Sequence, residues 1–172
     1  MDNLITDYNL LPSLAKQHQD EFEVLGYTLD LLEELADEQI DAWVDTIAMP
    51  IVEAIDCTKC ANCCRSLDVY LTETDASQLG SLIDVPIDSI LDHVAAHRVG
   101  EWGTFKAKPC GFLNGSLCSV YSHRPETCRT YPMFTPDFRW TLDDTIEGAS
   151  ICPIIYNVLI TLYRRIGELY NS

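Results

Sequence analysis

The run Cys57-Thr58-Lys59-Cys60-Ala61-Asn62-Cys63-Cys64-Arg65 decides how this chain is read. Four cysteines fall within eight residues, and the last two are neighbours. Four more follow at Cys110, Cys118, Cys128 and Cys152, giving C-x2-C-x2-CC and then C-x7-C-x9-C-x23-C. A C-x2-C unit turns the chain so that two sulfurs face one ion while backbone amides hydrogen-bond them. One such unit is a weak sign. Two overlapping units, with further cysteines on a hairpin and at a helix start, form a strong one. All-sulfur donor sets suit zinc or iron–sulfur chemistry.

Other uses of the thiols fit less well. Disulfide scaffolds are usually shorter, secreted chains, and a bridge between adjacent cysteines strains the intervening peptide. The N-terminus has neither a basic n-region nor an apolar h-region, and no apolar run reaches the length of a membrane span, so the cytoplasm is the expected compartment. There thiols stay reduced or bind metal. A thioredoxin-like use of Cys57 and Cys60 wants a βαβ context, which the pattern lacks. A nucleophilic cysteine needs a partner base, and His123 is the nearest one in sequence. In extended chain, Cys63 and Cys64 point to opposite sides. They would then serve two neighbouring centres, or one would ligate and the other support it. Eight cysteines match two four-cysteine sets, or one four-cysteine cluster plus four supporting or reactive thiols.

The net charge of −16 is unevenly spread: residues 1–56 hold 14 Asp/Glu and one Lys. Such a surface repels nucleic-acid phosphates, which argues against DNA or RNA as a partner. It reads either as a solvated helix face or as a docking face for a basic protein partner.

Apolar periodicity outlines the elements. Phe22, Leu25, Leu29 and Leu32 form one helical stripe, and Ile40, Trp43, Ile47 and Ile51 another that Pro50 should kink or end. Asp68 to Leu71 reads as a short strand. Thr72 and Asp75 resemble a capping box opening a helix through Leu82. Pro86 opens another helix, with Ile87, Ile90, Leu91 and Val94 on one face and Gly100 as its stop. Trp102 to Lys106 reads as a strand. Asn114-Gly115 predicts a type I′ hairpin pairing Phe112-Leu113 with Leu117-Cys118, which draws Cys110 and Cys118 together. Pro125 opens a helical turn holding Cys128. Residues 135–145 read as irregular, with Phe138 and Trp140 on a strand. Pro153 starts a C-terminal helix with Ile155, Val158, Leu162, Ile166 and Leu169 in one stripe.

Around the cysteines lie Lys59, Arg65, Arg124 and Arg129, whose charges offset a thiolate-rich centre and whose N–H groups donate to sulfur. Arg124 and Arg129, which flank Cys128, are the cofactor-binding candidates, with His123 as a further donor or ligand. His93 and His97 stand four apart and read as surface residues; His18, in a polar stretch, reads as exposed.

Three segments together resemble the CxxCxxCC, or YkgJ-type, cysteine-cluster family, described as zinc- or iron-chelating and often named as iron–sulfur cluster proteins. They are C-x2-C-x2-CC at Cys57–Cys64, C-x-FL…C-x-VY from Cys110 to Tyr121, and RP-x2-CR-x-YP from Arg124 to Pro132. Cys152 matches a late cysteine of many members. The resemblance covers about residues 57–153. Members often carry a glycine in the CGxCC turn, where this chain has Ala61-Asn62. The flagellin lysine N-methylase looks like a larger relative with these cysteines.

The expectation is therefore a mainly α chain with short β-strands and a hairpin (α+β). Residues 1–56 form an acidic helical extension, and residues 57–172 a metal-stapled cysteine-cluster domain ending in a helix. The expected metal ligands are Cys57, Cys60, Cys63, Cys64, Cys110, Cys118, Cys128 and Cys152. The resemblance implies an iron–sulfur cluster, [4Fe–4S] for preference, with Zn2+ as the alternative. A redox or methyl-transferring enzyme acting on a protein, and a zinc-stapled adaptor, are the competing functions. The expected partner, if any, meets the acidic N-terminal helices; no nucleic acid and no membrane is expected.

Overall fold

The computed structural model describes residues 4–83, 86–92 and 103–169. The chain divides into two compact units. Met1–Cys60 with Pro132–Ser172 make a helical unit, and Ala61–Tyr131 make a cysteine-rich unit. The elements in chain order are helices α1 (Leu11–Gln17), α2 (Gln19–Leu31), α3 (Asp37–Ala54), α4 (Cys57–Cys60) and α5 (Asn62–Ser66), strand β1 (Tyr70–Leu71), helix α6 (Glu73–Gly80), strands β2 (Leu91–Asp92), β3 (Gly103–Phe105), β4 (Leu113–Asn114) and β5 (Leu117–Cys118), and helices α7 (Glu126–Thr130), α8 (Phe138–Gly148) and α9 (Pro153–Arg165). The mainly helical expectation holds. Among the described residues, no helix is long and apolar enough to cross a membrane.

The helical unit is built on one apolar bed. From α2 come Phe22, Leu25 and Leu29, and from α3 Ile40, Val44, Ile47, Ala48 and Ile51, all buried. Helix α9 packs on α2, α3 and α8 and is buried from Pro153 through Ile160, nearly all round. That is why its sequence is apolar beyond a single stripe. Asn157, 4% exposed, is the polar exception. Its amide accepts from Ile5 N at 3.0 Å and donates to Ile5 O at 2.8 Å and Pro153 O at 2.7 Å, so no polar atom is orphaned.

Three expectations for this unit are corrected. Pro50 does not end its helix; α3 continues to Ala54, with Pro50 exposed and Ile51 buried. The missing N–H forfeits one hydrogen bond, which the buried face on either side outweighs. His18 is half-buried: its ring lies 5.8 Å from that of Tyr156, and Nδ1 is 2.9 Å from the Tyr156 hydroxyl. Residues 138–148 are not irregular or extended but form α8, with Phe138, Leu142 and Thr145 buried at helical spacing.

Helix α8 starts oddly. Its N-cap, Asp137, sits at φ 67, a left-handed conformation that Asp tolerates better than most residues, and makes no side-chain cap. The cap comes from α3. Asp41 accepts from Asp137 N at 2.8 Å and Phe138 N at 3.0 Å, satisfying helix-start donors across 96 and 97 residues. Arg139 returns the favour by donating to the α2 end at Leu32 O (3.0 Å) and Leu35 O (3.2 Å). Asp41→Ala should cost about 1–2 kcal/mol, the usual value of a lost helix cap. A urea midpoint unchanged from wild type would refute this role.

The cysteine-rich unit holds two small sheets. β1, β3 and β2 lie antiparallel in that order, with Tyr70 opposite Thr104 and Leu91 opposite Phe105. Among the described residues its apolar core is Val69, Leu71, Ala76, Leu79 and Leu91, with Ile87, Ile90, Phe105, Val120 and Cys128 packed against it. The capping box forms as expected, since Asp75 Oδ2 accepts from Thr72 N and Asp75 N donates to the Thr72 hydroxyl, each at 3.1 Å. Asp75 Oδ1 also accepts from Glu126 N, so one carboxylate starts both α6 and α7. Helix α6 ends at Gly80, short of Leu82.

The helix expected after Pro86 is a single 3-10 turn, Ile87–Ser89, and Leu91 enters a strand. Three apolar residues in five positions fit either period, and pairing with β3 decides the outcome. Val94, His93, His97, Gly100 and Trp102 lie outside the described residues. The hairpin pairs Leu113 with Cys118 and Asn114 with Leu117. Its loop is thus Gly115-Ser116 rather than Asn114-Gly115. Only Gly115 of the two has a positive φ, 64°, so the glycine stands first in the loop, where a type II′ turn places it and type I′ does not require it alone.

Candidate metal centre

All eight cysteines are free thiols. They divide between the units: Cys57, Cys60 and Cys152 in the helical one, Cys63, Cys64, Cys110, Cys118 and Cys128 in the other. The opening nonapeptide is therefore not one site in one body.

The doublet is helical, which overturns the extended-chain expectation. Ala61, the N-cap of α5, takes a left-handed φ of 50, the conformation for which glycine is the default. The turn is made without the family's glycine. It feeds Asn62–Ser66 into a helical turn, where neighbouring side chains diverge by about 100° rather than 180°. The sulfurs of Cys63 and Cys64 stand 4.0 Å apart. Two thiolates on one tetrahedral ion, each at about 2.3 Å, are separated by roughly 3.8 Å. The pair is thus sterically able to share an ion.

Local hydrogen bonds tie Cys110 and the hairpin to α5. Cys110 N donates to Cys64 O at 2.8 Å, and Arg65 Nη2 donates to Gly115 O at 3.0 Å, tying α5 to the hairpin that ends in Cys118. Cys128 N donates to Pro125 O at 2.9 Å, which closes the turn that Pro125 opens. The charges of Cys64, Cys110 and Cys118 reach Cys128. Burial, and then those charges, push the Cys128 thiol up to about 12. Burial is also the main reason that Cys110 and Cys118 are raised, with Cys64 adding to both. Cys64 goes the other way, down to about 6. The Cys63 thiol donates to it, and the guanidinium charges of Arg65 and Arg124 add to the shift.

A lowered thiol contributes stability that is present above its ordinary value near 9 and is lost as pH falls through about 6. The same ionisation controls reactivity. In the metal-free protein, alkylation by iodoacetamide should therefore reach Cys64 first, rising with a midpoint near pH 6, while Cys128 stays unmodified to pH 10. Peptide mass spectrometry reads this directly, and equal labelling of the two at pH 7 would contradict it.

Arg124 is placed for an anionic centre. Its guanidinium stacks on the Tyr121 ring, 3.6 Å from the centroid, and its charge reaches Cys64 and Cys118. Its Nε is buried and has no hydrogen-bond partner among the described residues. Sulfur or sulfide of a thiolate-held group would satisfy that donor. Arg129 donates to Arg124 O, so it positions Arg124. Arg65, directly after the doublet and also among the cations named from the sequence, reaches Cys64 with its charge as Arg124 does. Tyr121, three residues before Arg124 in VYSHR, is the platform that reading missed. His123 is exposed, with Nδ1 3.0 Å from the Ser122 hydroxyl.

In the helical unit, α4 is one turn long. Asp56 starts it, accepting from Thr58 N at 3.0 Å and the Thr58 hydroxyl at 2.6 Å, and the hydroxyl bond holds its carboxyl below the usual range. Cys57 and Cys60, three apart on that turn, share one face. Cys152 is the N-cap of α9. Burial pushes its thiol up to about 11, and the charges of Cys57 and Cys60 add to the rise. The backbone amides of Ile155 and Ile154 at the helix start oppose the rise, although the Cys152 side chain makes no cap hydrogen bond.

The thiols are gathered but not closed: among the described residues, no three His, Cys, Asp or Glu side chains converge as tightly as a bound ion would draw them. The donor chemistry nonetheless fits a soft metal, being all sulfur, mostly half-buried and, at Cys64, flanked by two guanidiniums.

No curated protein and no solved structure matches the chain. Residues 56–153 match the model of the CxxCxxCC family, described as "Putative zinc- or iron-chelating domain", and this span starts one residue before Cys57 and ends one residue after Cys152. More than half of the chain lies inside that match, and the chain belongs to the CxxCxxCC family.

Proposed function

We propose that this is a cytoplasmic metal-binding protein whose cysteine-rich unit holds a [4Fe–4S] cluster through Cys64, Cys110, Cys118 and Cys128. The buried, partnerless Nε of Arg124 beside these mutually repelling thiols carries the reading. Four thiolates crowded together in a partly dry site are costly unless a cation neutralises them. The apolar cluster against which Cys128 packs keeps solvent from that side, as an oxygen-sensitive cluster requires. When bound, the group supplies electron-transfer or Lewis-acid chemistry; the chain itself positions the thiolates and offsets their charge through Arg65 and Arg124. Iron–sulfur naming in the family favours the cluster over zinc, which the same donors also suit.

Anaerobic purification with metal and acid-labile sulfide analysis tests this. Iron and sulfide in equal amounts, about four each per chain, with visible charge-transfer absorption, are expected. A colourless protein with stoichiometric zinc would remove the cluster and leave chelation standing.

A second reading, docking through the acidic helices, has its own observation. Val24, Tyr27 and Leu31 lie exposed on α2 at 47%, 69% and 77%, among Glu23, Asp30 and Glu34. An apolar stripe in an acidic surround suits a basic amphipathic segment of a partner protein. Tyr27→Asp with Leu31→Asp should abolish partner capture in a pull-down without lowering helical stability; unchanged capture would end this reading.

A further inference from the structure

A pocket of about 480 Å3 lies within the helical unit, between the N-terminal segment, α3 and α9. That size is ordinary for a small-molecule site. Its floor is apolar: Ile47 and Ile51 come from α3 and Ile160 from α9, all buried. Leu4 and Ile5 make another wall. Asn157 fastens that wall, since its amide accepts from Ile5 N at 3.0 Å and donates to Ile5 O at 2.8 Å. Along α9 the lining changes character. Tyr156, Ile160 and Arg164 recur at four-residue steps, as do Asn157, Thr161 and Arg165. They share one face of the helix over about 12 Å, buried at Tyr156 and exposed at the two arginines.

The charge of this pocket runs against that of its surroundings. The helical unit has five Lys/Arg, at Lys16, Lys59, Arg139, Arg164 and Arg165, against 14 Asp/Glu in residues 1–56 alone. Two of the five line one pocket, and no Asp or Glu is among the described residues that line it. Glu21, whose charge reaches Tyr156 as that of Arg164 does, lies on α2 outside the lining. Arg165 pairs with Glu168 at 3.0 Å, but both side chains are about half exposed, and such a pair yields readily to a better-placed anion.

We propose that this pocket binds a monocarboxylate with an apolar tail, the tail lying on Ile47, Ile51 and Ile160 and the carboxylate meeting Arg164 and Arg165. A guanidinium offers paired donors that match the two oxygens of a carboxylate. The tail takes the isoleucine surface out of water. A wholly polar anion leaves that surface wet, and an uncharged chain leaves the arginines unused. The site lies in the helical unit and involves none of the cysteines.

Isothermal titration calorimetry of the full-length protein tests this, with octanoate, octanol and inorganic phosphate as probes. One octanoate per chain is expected, bound at least tenfold more tightly than either of the others. Arg164→Gln with Arg165→Gln should weaken octanoate at least tenfold and leave octanol unchanged. Both positions are exposed, and far-UV circular dichroism confirms that the helices are intact. Thr46→Trp, at the exposed rim on α3, should block the mouth and weaken octanoate and octanol alike. Lys16→Gln removes a charge outside the lining and should change nothing. Octanol bound as tightly as octanoate overturns the carboxylate, and phosphate bound as tightly overturns the apolar tail. Octanoate affinity unmoved by the arginine pair or by Thr46→Trp, or lowered as much by Lys16→Gln, overturns the site. The absence of saturable octanoate binding overturns the proposal outright.

Discussion

Stripping the metal from the full-length protein is expected to unfold residues 61–131 while the helices around α9 stay folded. Among its described residues, the cysteine-rich unit has a core of five small or medium apolar residues, Val69, Leu71, Ala76, Leu79 and Leu91, with no aromatic side chain fully buried. A unit of this size with so little apolar burial sits near zero net stability without a staple. Metal bound to preassembled thiolates contributes folding free energy outright, on the order of 10 kcal/mol for a structural zinc at neutral pH. Its strands are two or three residues long, too short to hold by pairing alone. Hydrogen exchange read by mass spectrometry separates the units. After chelator treatment, amides of β1, β3 and the hairpin should exchange within the dead time, while those of α2, α3 and α9 stay protected. Persistent protection across residues 61–131 would show that its own packing suffices.

The second large effect belongs to the helical unit. Phe138 is fully buried at the first turn of α8. Replacing it with alanine removes a ring from a close-packed bed and leaves a cavity, at a cost of about 3–5 kcal/mol. Phe138→Leu keeps most of the volume and should cost less than about 1.5 kcal/mol. Urea titration followed by far-UV circular dichroism gives both values. Similar midpoints for the two variants would mean that the surroundings collapse around the smaller side chain.

The same residue shows where the sequence was legible and where it was not. Helices α2, α3 and α9 announce themselves because their stripes are long and their buried faces are set by local spacing. The capping box at Thr72 and the turn at Pro125 are also local, and both were readable. Helix α8 was hidden, although Phe138, Leu142 and Thr145 have helical spacing. Pro136 and a left-handed Asp137 look like a loop, and the cap that rescues the start is Asp41, far away in sequence. The segment after Pro86 failed for the opposite reason: its pattern was too short to choose a period, and strand pairing chose for it.

The site divides similarly. The cysteine pattern was legible from spacing alone, and the span it occupies is the one that the family model matches. The doublet was misjudged, since its sidedness depends on the backbone that Ala61 sets up. Arg124 was readable from its neighbour Cys128, but its unpaired Nε was not, because only burial makes that atom costly.

The position of Cys152 has a consequence for anyone wishing to move this site elsewhere. The family match closes at residue 153, where α9 has only begun. Cys152 is the N-cap residue of that helix, and the helix is held by Ile154, Val158, Leu159 and Leu162, which lie beyond the match and are buried in the helical unit. The matched stretch is thus not a portable cassette. Grafted alone, it would carry every cysteine and lose the bed that aims one of them.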